Sequence, residues 1–421
     1  MQQKITYAGT VRRSFAEGSE LLGRLADLPV SAKQVERVTR RIGAERVAER
    51  DAAVAAYRGL PLVARFAVPA GATAPDLAVV MADGGRLQIL GRIPRPRAEP
   101  LPGDEDGAAA AADEAWDEEE TPASHWREDK VGLLLTMDSD VSARGPSPDI
   151  PPSFLDATRI PEPVRELSRQ IRQAEDATAP AGEAETTDAA VPEETAYQPP
   201  VVTQRKVLAS RRTWSAFAPA VAAAAWAWGF RGAARKAFVG DGSANHWRLQ
   251  RRFFGSFVPI LDFIHALSCA YAAATAGQLR AAGWTCYRQW IGWVWQGQVA
   301  RVIAARETRQ AELGLPEQDE PETHPRQVVA RAWTYLRHQQ DKMRYDEYRR
   351  QGLPLTSSLM ESVVKQINRR VKGTEKFWSE DGAEALPQLR ADQLSDDQPL
   401  DAFWQRRQEA ATGQRRYRPA A

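Results

Sequence analysis

Short apolar runs, separated by polar stretches and by stretches with helical periodicity, constrain the fold of this chain more than any other feature. Residues 77–90 contain two such runs on either side of a Gly-Gly pair, which predicts a β-hairpin, and residues 130–136 form a third run. Residues 237–239 and 257–264 are further runs, and each leads into a helical pattern. Three strands that can pair antiparallel, followed by strands alternating with helices, predict an α/β sheet with helices on both faces.

The stretch 355–373 is predicted to form one amphipathic helix. Its apolar residues recur at three- and four-residue steps and would face the core: Met360, Val363, Val364, Ile367 and Val371. The opposite side carries one carboxylate among cations: Glu361, Lys365, Asn368, Arg369 and Lys372. A lone carboxylate on a basic face suits a group that holds a metal ion beside a phosphate backbone. Ser358 and Glu361 also match a capping box, so a local structural role for Glu361 is the alternative.

A second basic helix is predicted near the N-terminus, where Ser31 can act as its cap. The apolar side of this helix would contain Val35, Val38, Ile42 and Val47. Its other faces carry cations: Lys33, Arg37, Arg40, Arg41 and Arg46. Such a helix could belong to a DNA-binding head, but basic faces are also common on solvated helices. Both interpretations stay open.

Charge and cysteine usage narrow the class of protein. The net charge of +1 says nothing about nucleic acid, but residues 104–120 carry nine carboxylates and no cation, while residues 414–418 are basic. Cys269 and Cys286 form no CxxC pair, which fits a reducing compartment and excludes a cysteine-based zinc site within this chain. The first residues lack a signal-peptide pattern, and the most apolar window, 217–230, is too short to span a bilayer. We therefore expect a cytoplasmic protein with no membrane partner.

Three acidic residues stand at or near the ends of predicted elements: Asp83, Asp241 and Glu361. Each has a local alternative, since Asp83 and Asp241 precede glycines and could be turn residues. Asp262 and His265 could be a helix cap and a core histidine. Together the acids favour another interpretation, because neighbouring strands would bring carboxylates together, and clustered carboxylates repel one another unless cations neutralise them. Oxygen ligands of this kind suit Mg²⁺ or Mn²⁺.

Four motifs carry a resemblance to a known family. They are Met-Ala-Asp83-Gly-Gly-Arg, Val-Gly-Asp241-Gly-Ser-Ala-Asn-His-Trp, Leu-Asp262-Phe-Ile-His265-Ala, and Met-Glu361-Ser-Val-Val-Lys with its continuation to residue 373. The chain resembles the DDE transposases of bacterial insertion sequences, nearest to the Kra-type group and more distantly the Mutator-like transposases. Residues 377–390 are also similar to that group. The resemblance is strongest over 201–416 and moderate over 61–137.

The resemblance implies an RNase H-like mixed sheet flanked by helices, in which Asp83, Asp241 and Glu361 bind two Mg²⁺ or Mn²⁺ ions. Metal-assisted hydrolysis would release a 3′-OH at the transposon end, and that 3′-OH would then attack target DNA. Asp262 and His265 match the D-x-x-H signature of the Mutator-like enzymes and would support the site. The implied contacts to DNA are Lys365, Arg369, Arg370, Lys372, His246 and Trp247.

The patterns and the resemblance together predict how the chain is divided. Residues 1–58 would be a helical segment, interpreted as the remnant of a DNA-binding head. Residues 61–137 would form the first part of the RNase H-like core, with an acidic insert at 93–130, and residues 138–205 a low-complexity linker. Residues 206–268 would complete the core, 269–350 would form an all-helical insertion, and 351–421 would hold the catalytic helix and a basic tail. The expected partners are transposon-end DNA and target DNA, bound by a homo-oligomer.

Two other functions stay open. The chain could be a catalytically inactive DNA-binding relic of a transposase, although the intact set of two aspartates and one glutamate argues against loss of turnover. It could also be a two-carboxylate hydrolase such as a glycosidase, with Asp83 and Asp241 as acid and base. The hydrolase alternative leaves the basic helix around Glu361 unexplained and is therefore the weaker of the two.

Overall fold

A computed structural model describes residues 1–89, 116, 126–158, 160, 198–373 and 376–410. Most of the predicted acidic insert at 93–130, most of the predicted linker at 138–205 and the end of the predicted basic tail lie outside these residues. In the described part of the chain, no helix is both long and apolar enough to cross a membrane.

A mixed sheet forms the centre of the molecule. Its strands in the described residues are β1 (Leu77–Ile89), β2 (Trp126–Asp138), β3 (Val201–Ser210), β4 (Arg235–Gly240), β5 (Val258–Leu261) and the short β6 (Phe377–Trp378). The order across the sheet is β3-β2-β1-β4-β5, and β6 pairs with the far end of β1. The β1–β2 and β2–β3 pairs are antiparallel, whereas β1–β4 and β4–β5 are parallel. The predicted α/β class is confirmed.

The predicted hairpin at Gly84 and Gly85 is wrong, because β1 runs through both glycines as one strand. The long strand β2 pairs with β1 from Leu77 to Gln88, and this ladder satisfies the backbone groups that a turn would have left to solvent. The glycines instead allow side chains of the neighbouring strand to approach the backbone of β1 closely. A Cβ on Gly85 would lie 2.7 Å from Asp129 Oδ1, and one on Gly84 would lie 2.8 Å from Glu128 Oε1. Asp83 therefore lies inside a strand, not at its end.

Strand β3 was not predicted, since its first half falls in the stretch expected to be a low-complexity linker. Residues at the start of β3 are largely exposed, and only Val207 to Ser210 are buried. The strand is specified by its partner: it pairs with β2 from Asp138 back to Lys130. A half-exposed edge strand carries a weak apolar signal in the sequence, which explains why the pattern did not indicate it.

Helices cover both faces of the sheet, as predicted. The helices before the second half of the sheet are α1 (Gln2–Val11), α2 (Phe15–Ala26), α3 (Ala32–Gly59), α4 (Leu62–Phe66) and α5 (Trp214–Ala227). Those after β4 are α6 (Ala244–Phe253), α7 (Phe263–Thr275), α8 (Arg280–Trp295), α9 (Val299–Leu313), α10 (Pro325–Gln339), α11 (Tyr345–Arg350), α12 (Ser358–Val371), α13 (Glu380–Leu394) and α14 (Pro399–Glu409).

Two glycine contacts show which helix lies on which face. A Cβ on Gly132 of β2 would meet Phe217 and Val221 of α5. A Cβ on Gly85 of β1 would meet Asp129 and Asn368, and Asn368 belongs to α12. Positions 129 and 132 point to opposite faces of β2, because side chains alternate along a strand. Helix α5 therefore covers one face, and α12 covers the other.

The N-terminal helices pack onto the C-terminal part of the chain. The predicted cap is confirmed: the Ser31 hydroxyl accepts from the Gln34 amide, and the Gln34 side chain accepts from the Ser31 amide. Helix α3 then lies so close to α13 that a Cβ on Gly43 would be 2.6 Å from the Ala385 carbonyl oxygen. Arg46, one of the cations predicted to face solvent, is instead buried and donates to Asp392 at 2.9 Å.

Candidate active site

The register of β1 and β4 brings Asp83 and Asp241 together. Met81 pairs with Val239 in this parallel ladder, and each aspartate lies two residues further along its strand direction. Burial and the negative charge of Asp241 raise the pKa of Asp83 to about 6. The Asp83 carboxylate has one local donor, since its Oδ1 accepts from the Gly84 amide at 2.7 Å. The predicted meeting of these two carboxylates is therefore observed, although Asp83 lies within its strand.

Asp241 begins a tight turn between β4 and α6. Its Oδ1 accepts from the Ser243 amide at 2.9 Å and lies 2.6 Å from His246 Nδ1. Burial disfavours the ionised form, but the charge and hydrogen bond of His246 outweigh burial and hold the pKa of Asp241 well below its usual range. Gly242 has φ +100°, a conformation that side-chain-bearing residues rarely adopt.

Asp262 connects the end of β5 to the same site. Its amide donates to the Gly240 carbonyl at 2.8 Å, and its Oδ1 accepts from the Ile264 amide at 3.0 Å, so it caps α7 as the sequence allowed. Its Oδ2 accepts from His265 Nδ1 at 3.0 Å and from Ser357 Oγ at 2.7 Å. Asp262 thereby holds strand β5, helix α7 and the residue before α12 together.

The two histidines balance the acids of this site. Burial would lower the pKa of His265, but the hydrogen bond and charge of Asp262, with the charges of Asp241 and Asp83, raise that pKa to about 9. Burial also opposes protonation of His246, yet the charges of Asp241 and Asp83 raise its pKa above the usual value. At neutral pH the site therefore combines a protonated His265 with an ionised Asp241, and the pKa of His246 is raised as well.

Helix α12 starts at this same end of the sheet. The helix begins at Ser358, with Ser357 in the capping position, so the predicted cap at Ser358 is wrong. The reason is that Ser357 Oγ donates to Asp262, which fixes the helix start by a tertiary contact in place of a local capping box. Glu361 lies in the first turn, is half-buried, and has its Oε2 3.9 Å from Lys365 Nζ. Among the described residues, no three His, Cys, Asp or Glu side chains converge at a spacing that could hold a metal ion.

The cations predicted to contact DNA fall into two groups. Lys365 and Arg369 are exposed on α12, and Lys372 is half-buried just beyond the helix. Arg370 is only 3% exposed, and its guanidinium donates to the Gly9 carbonyl at 2.9 and 3.0 Å. The guanidinium also lies 4.5 Å from the ring of Phe15. Arg370 is therefore removed from the set of DNA contacts, because it ties α12 to the N-terminal helices.

His246 and Trp247 are also buried, at 3% and 5% exposure, so the prediction that they face a DNA strand is wrong. The His246 side chain is directed at Asp241, as described above. The Trp247 ring packs 6.1 Å from the ring of Phe238 and lies 5.4 Å from Lys342 Nζ. A Cβ on Gly240 would touch this indole at 3.3 Å, which shows how closely α6 approaches β4.

Sequence reasoning missed other residues of this region. The Tyr335 hydroxyl donates to the Asp241 carbonyl at 2.5 Å, and Gln339 Nε2 donates to the Gly242 carbonyl at 3.2 Å. No local pattern indicates these contacts, because about ninety residues separate the partners along the chain. Asp129 was missed although strand alternation indicates it: it shares a face of β2 with the buried Val131.

No family model matches the chain, and no curated protein matches it either.

Proposed function

We propose that this protein is a DNA transposase of an insertion sequence that cleaves transposon-end DNA and joins it to target DNA. The observation that carries the proposal is the pairing of Asp83 on β1 with Asp241 after β4, beside the start of the helix that bears Glu361. The strand order β3-β2-β1-β4-β5, with β2 antiparallel to its neighbours, agrees with the RNase H-like core that the sequence resemblance implies. An inactive relic would share this fold, so activity must separate the two.

The residues fit a divalent cation of the Mg²⁺ or Mn²⁺ kind. Asp83 and Asp241 supply oxygen donors, and burial together with the charge of Asp241 raises the pKa of Asp83 to about 6, a shift that a bound cation would oppose. Glu361, in the first turn of α12, would be the third carboxylate after moving toward this pair, since no three such side chains converge among the described residues. Bound metal ions would activate the attacking oxygen and stabilise the leaving oxygen of a phosphodiester.

The chain's own side chains would hold the reacting groups in place. His246 holds the Asp241 carboxylate through Oδ1, and Asp262 holds His265 and Ser357, so the acids keep fixed orientations. The exposed cations Lys365 and Arg369 would neutralise backbone phosphates along α12. Binding that depends on these cations should weaken steeply as salt concentration rises.

The test uses the purified full chain, Mg²⁺ and duplex DNA taken from the sequence that flanks the coding region. We expect strand cleavage that Asp241→Asn and Glu361→Gln each lower by more than about a hundredfold, because even outer-shell partners of a metal are worth 10- to 100-fold. Asp138→Asn is the matched control, since Asp138 is exposed at the end of β2 and should leave cleavage unchanged.

The possible results separate the functions considered. Cleavage that survives both substitutions would refute the assignment of Asp241 and Glu361. DNA binding without cleavage under any divalent metal would identify the inactive relic. Hydrolysis of glycosides that depends on Asp83 and Asp241 would identify the two-carboxylate hydrolase instead.

A further inference from the structure

A set of side chains between residues 335 and 348 donates hydrogen bonds to carbonyl groups of β5 and of the turn that follows β4. The hydroxyl of Tyr345 donates to Leu261 at 2.9 Å, and that of Tyr348 donates to Pro259 at 3.1 Å. The hydroxyl of Tyr335 donates to the Asp241 carbonyl at 2.5 Å. These phenols satisfy backbone acceptors that the strand ladder leaves open, as buried carbonyl groups require.

The hydrogen bond from Tyr335 to the Asp241 carbonyl is shorter than the two hydrogen bonds to β5. A second side chain of the same helix reaches the next residue of the turn. Gln339 is 7% exposed and donates to the carbonyl of Gly242, the next residue. A Cβ at position 242 would lie 2.7 Å from the Tyr335 hydroxyl and 2.8 Å from its Cε2. Together with φ +100° at Gly242, this spacing means that the turn can take its shape only with glycine there.

The turn is held from two sides. On the side-chain side, Ser243 and His246 contact Asp241 Oδ1. On the main-chain side, Tyr335 and Gln339, both on α10, hold the carbonyl groups of Asp241 and Gly242. Because both the main chain and one carboxylate oxygen of Asp241 are held, the side chain cannot reorient without breaking these hydrogen bonds.

We infer that Tyr335 and Gln339 are positioning residues for the Asp241 carboxylate. Helix α10 belongs to the helical stretch between β5 and α12, so this stretch is part of the support of the site. The inference deepens the proposed function, on which its metal-binding consequence rests. Tyr335 acts through the backbone of Asp241, whose carbonyl its hydroxyl holds.

The experiment compares Tyr335→Phe with Tyr348→Phe in the full chain. Both changes delete one phenolic hydroxyl that donates to a main-chain carbonyl, but only Tyr335 contacts the Asp241 turn. Two readouts are taken: Mn²⁺ binding followed by electron paramagnetic resonance, and hydrogen exchange of the Ser243 amide without metal. Asp241→Asn defines the Mn²⁺ signal that belongs to this site.

We expect Tyr335→Phe to raise the Mn²⁺ concentration for half-saturation about tenfold, as loss of an outer-shell partner does, and to speed exchange at Ser243. Tyr348→Phe should change Mn²⁺ binding by less than about twofold, within the scatter of substitutions that touch no ligand. Equal behaviour of the two variants in both readouts would overturn the inference. If the unaltered chain shows no Mn²⁺ signal that Asp241→Asn removes, the proposed metal site is wrong, and exchange at Ser243 alone then decides whether Tyr335 positions the turn.

Discussion

Two aspartates of the sheet region are completely buried, but within the residues that the structure describes only one of them has hydrogen-bond donors to its carboxylate. Asp262 and Asp129 both have 0% of their surface exposed. The Asp262 carboxylate accepts from the Ile264 amide, from His265 and from Ser357. Neither carboxylate oxygen of Asp129 has a hydrogen-bond partner among the described residues. Burial raises the pKa of Asp129 to about 7, with Glu128 adding to the shift and Lys130 and Lys372 opposing it.

This difference shows which of the two buried acids connects structural elements through hydrogen bonds. A buried carboxylate is tolerated when donors replace its lost water, and Asp262 has donors from its own helix and from the residue that precedes α12. Asp129 and Asn368 both approach Gly85, and Asn368 Oδ1 is also buried without a hydrogen-bond partner in the described part of the chain. Asp262 therefore organises the site, whereas burial, with no hydrogen-bond donor among the described residues, raises the pKa of Asp129.

The largest change in the free energy of unfolding is expected from Asp262→Ala. Removing this carboxylate leaves His265 and Ser357 without their acceptor and takes the cap from α7. We expect the free energy of unfolding to fall by roughly 3–5 kcal/mol, the usual cost of breaking a buried charge pair. Urea denaturation measures this change. Asp262→Asn keeps an acceptor for the Ile264 amide and should lose less; equal losses would show that the hydrogen bonds of Asp262 do not carry its role.

Asp129→Asn is expected to raise the free energy of unfolding, by less than Asp262→Ala lowers it. The folded pKa of about 7 lies above the unfolded value near 3.8, so the folded state binds more protons between these values. The free energy of unfolding therefore falls as pH rises through this range. At pH 8 the asparagine variant should be more stable than the unaltered chain by roughly 2–4 kcal/mol, and at pH 4 the two should be similar.

Urea denaturation at pH 4, 6 and 8 measures the difference. Asp83 shifts in the same direction, so the result is read as the difference between variants at each pH. Asp138→Asn is the control, since it removes an exposed carboxylate from the same strand. A pH-independent difference between Asp129→Asn and the unaltered chain would mean that Asp129 does not titrate as its surroundings indicate.

The smallest effect is expected from Ser357→Ala, which removes one of the donors to Asp262. One hydrogen bond to a charged acceptor contributes about 1–3 kcal/mol, so we expect a loss near the lower end of that range. Ser362→Ala, an exposed serine on α12, should cost less. If Ser362→Ala costs as much as Ser357→Ala, the link from Asp262 to α12 contributes nothing beyond local helix propensity.

Local patterns predicted those elements whose cause is local. The capping box of Ser31 and Gln34 lies within four consecutive residues, and the apolar runs predicted as strands fall within β2, β4 and β5. Arg370 was misassigned although periodicity contained the signal, because it lies three residues after the buried Ile367 and seven after the buried Val363. Arginine is easily assigned to solvent when the aliphatic part of its side chain is not counted as apolar in the periodic pattern.

By itself, the sequence determined the α/β class, the expectation that neighbouring strands bring Asp83 and Asp241 together, and the helix that carries Glu361. These follow from the order of the short apolar runs and from the helical period of the stretch around Glu361. The tertiary structure alone decided that β1 continues through Gly84 and Gly85, that Ser357 precedes α12, and that Tyr335 reaches the Asp241 carbonyl. Each of these depends on a partner far away in the chain, and a hydrogen bond formed with a distant partner leaves no spacing that a single sequence can display.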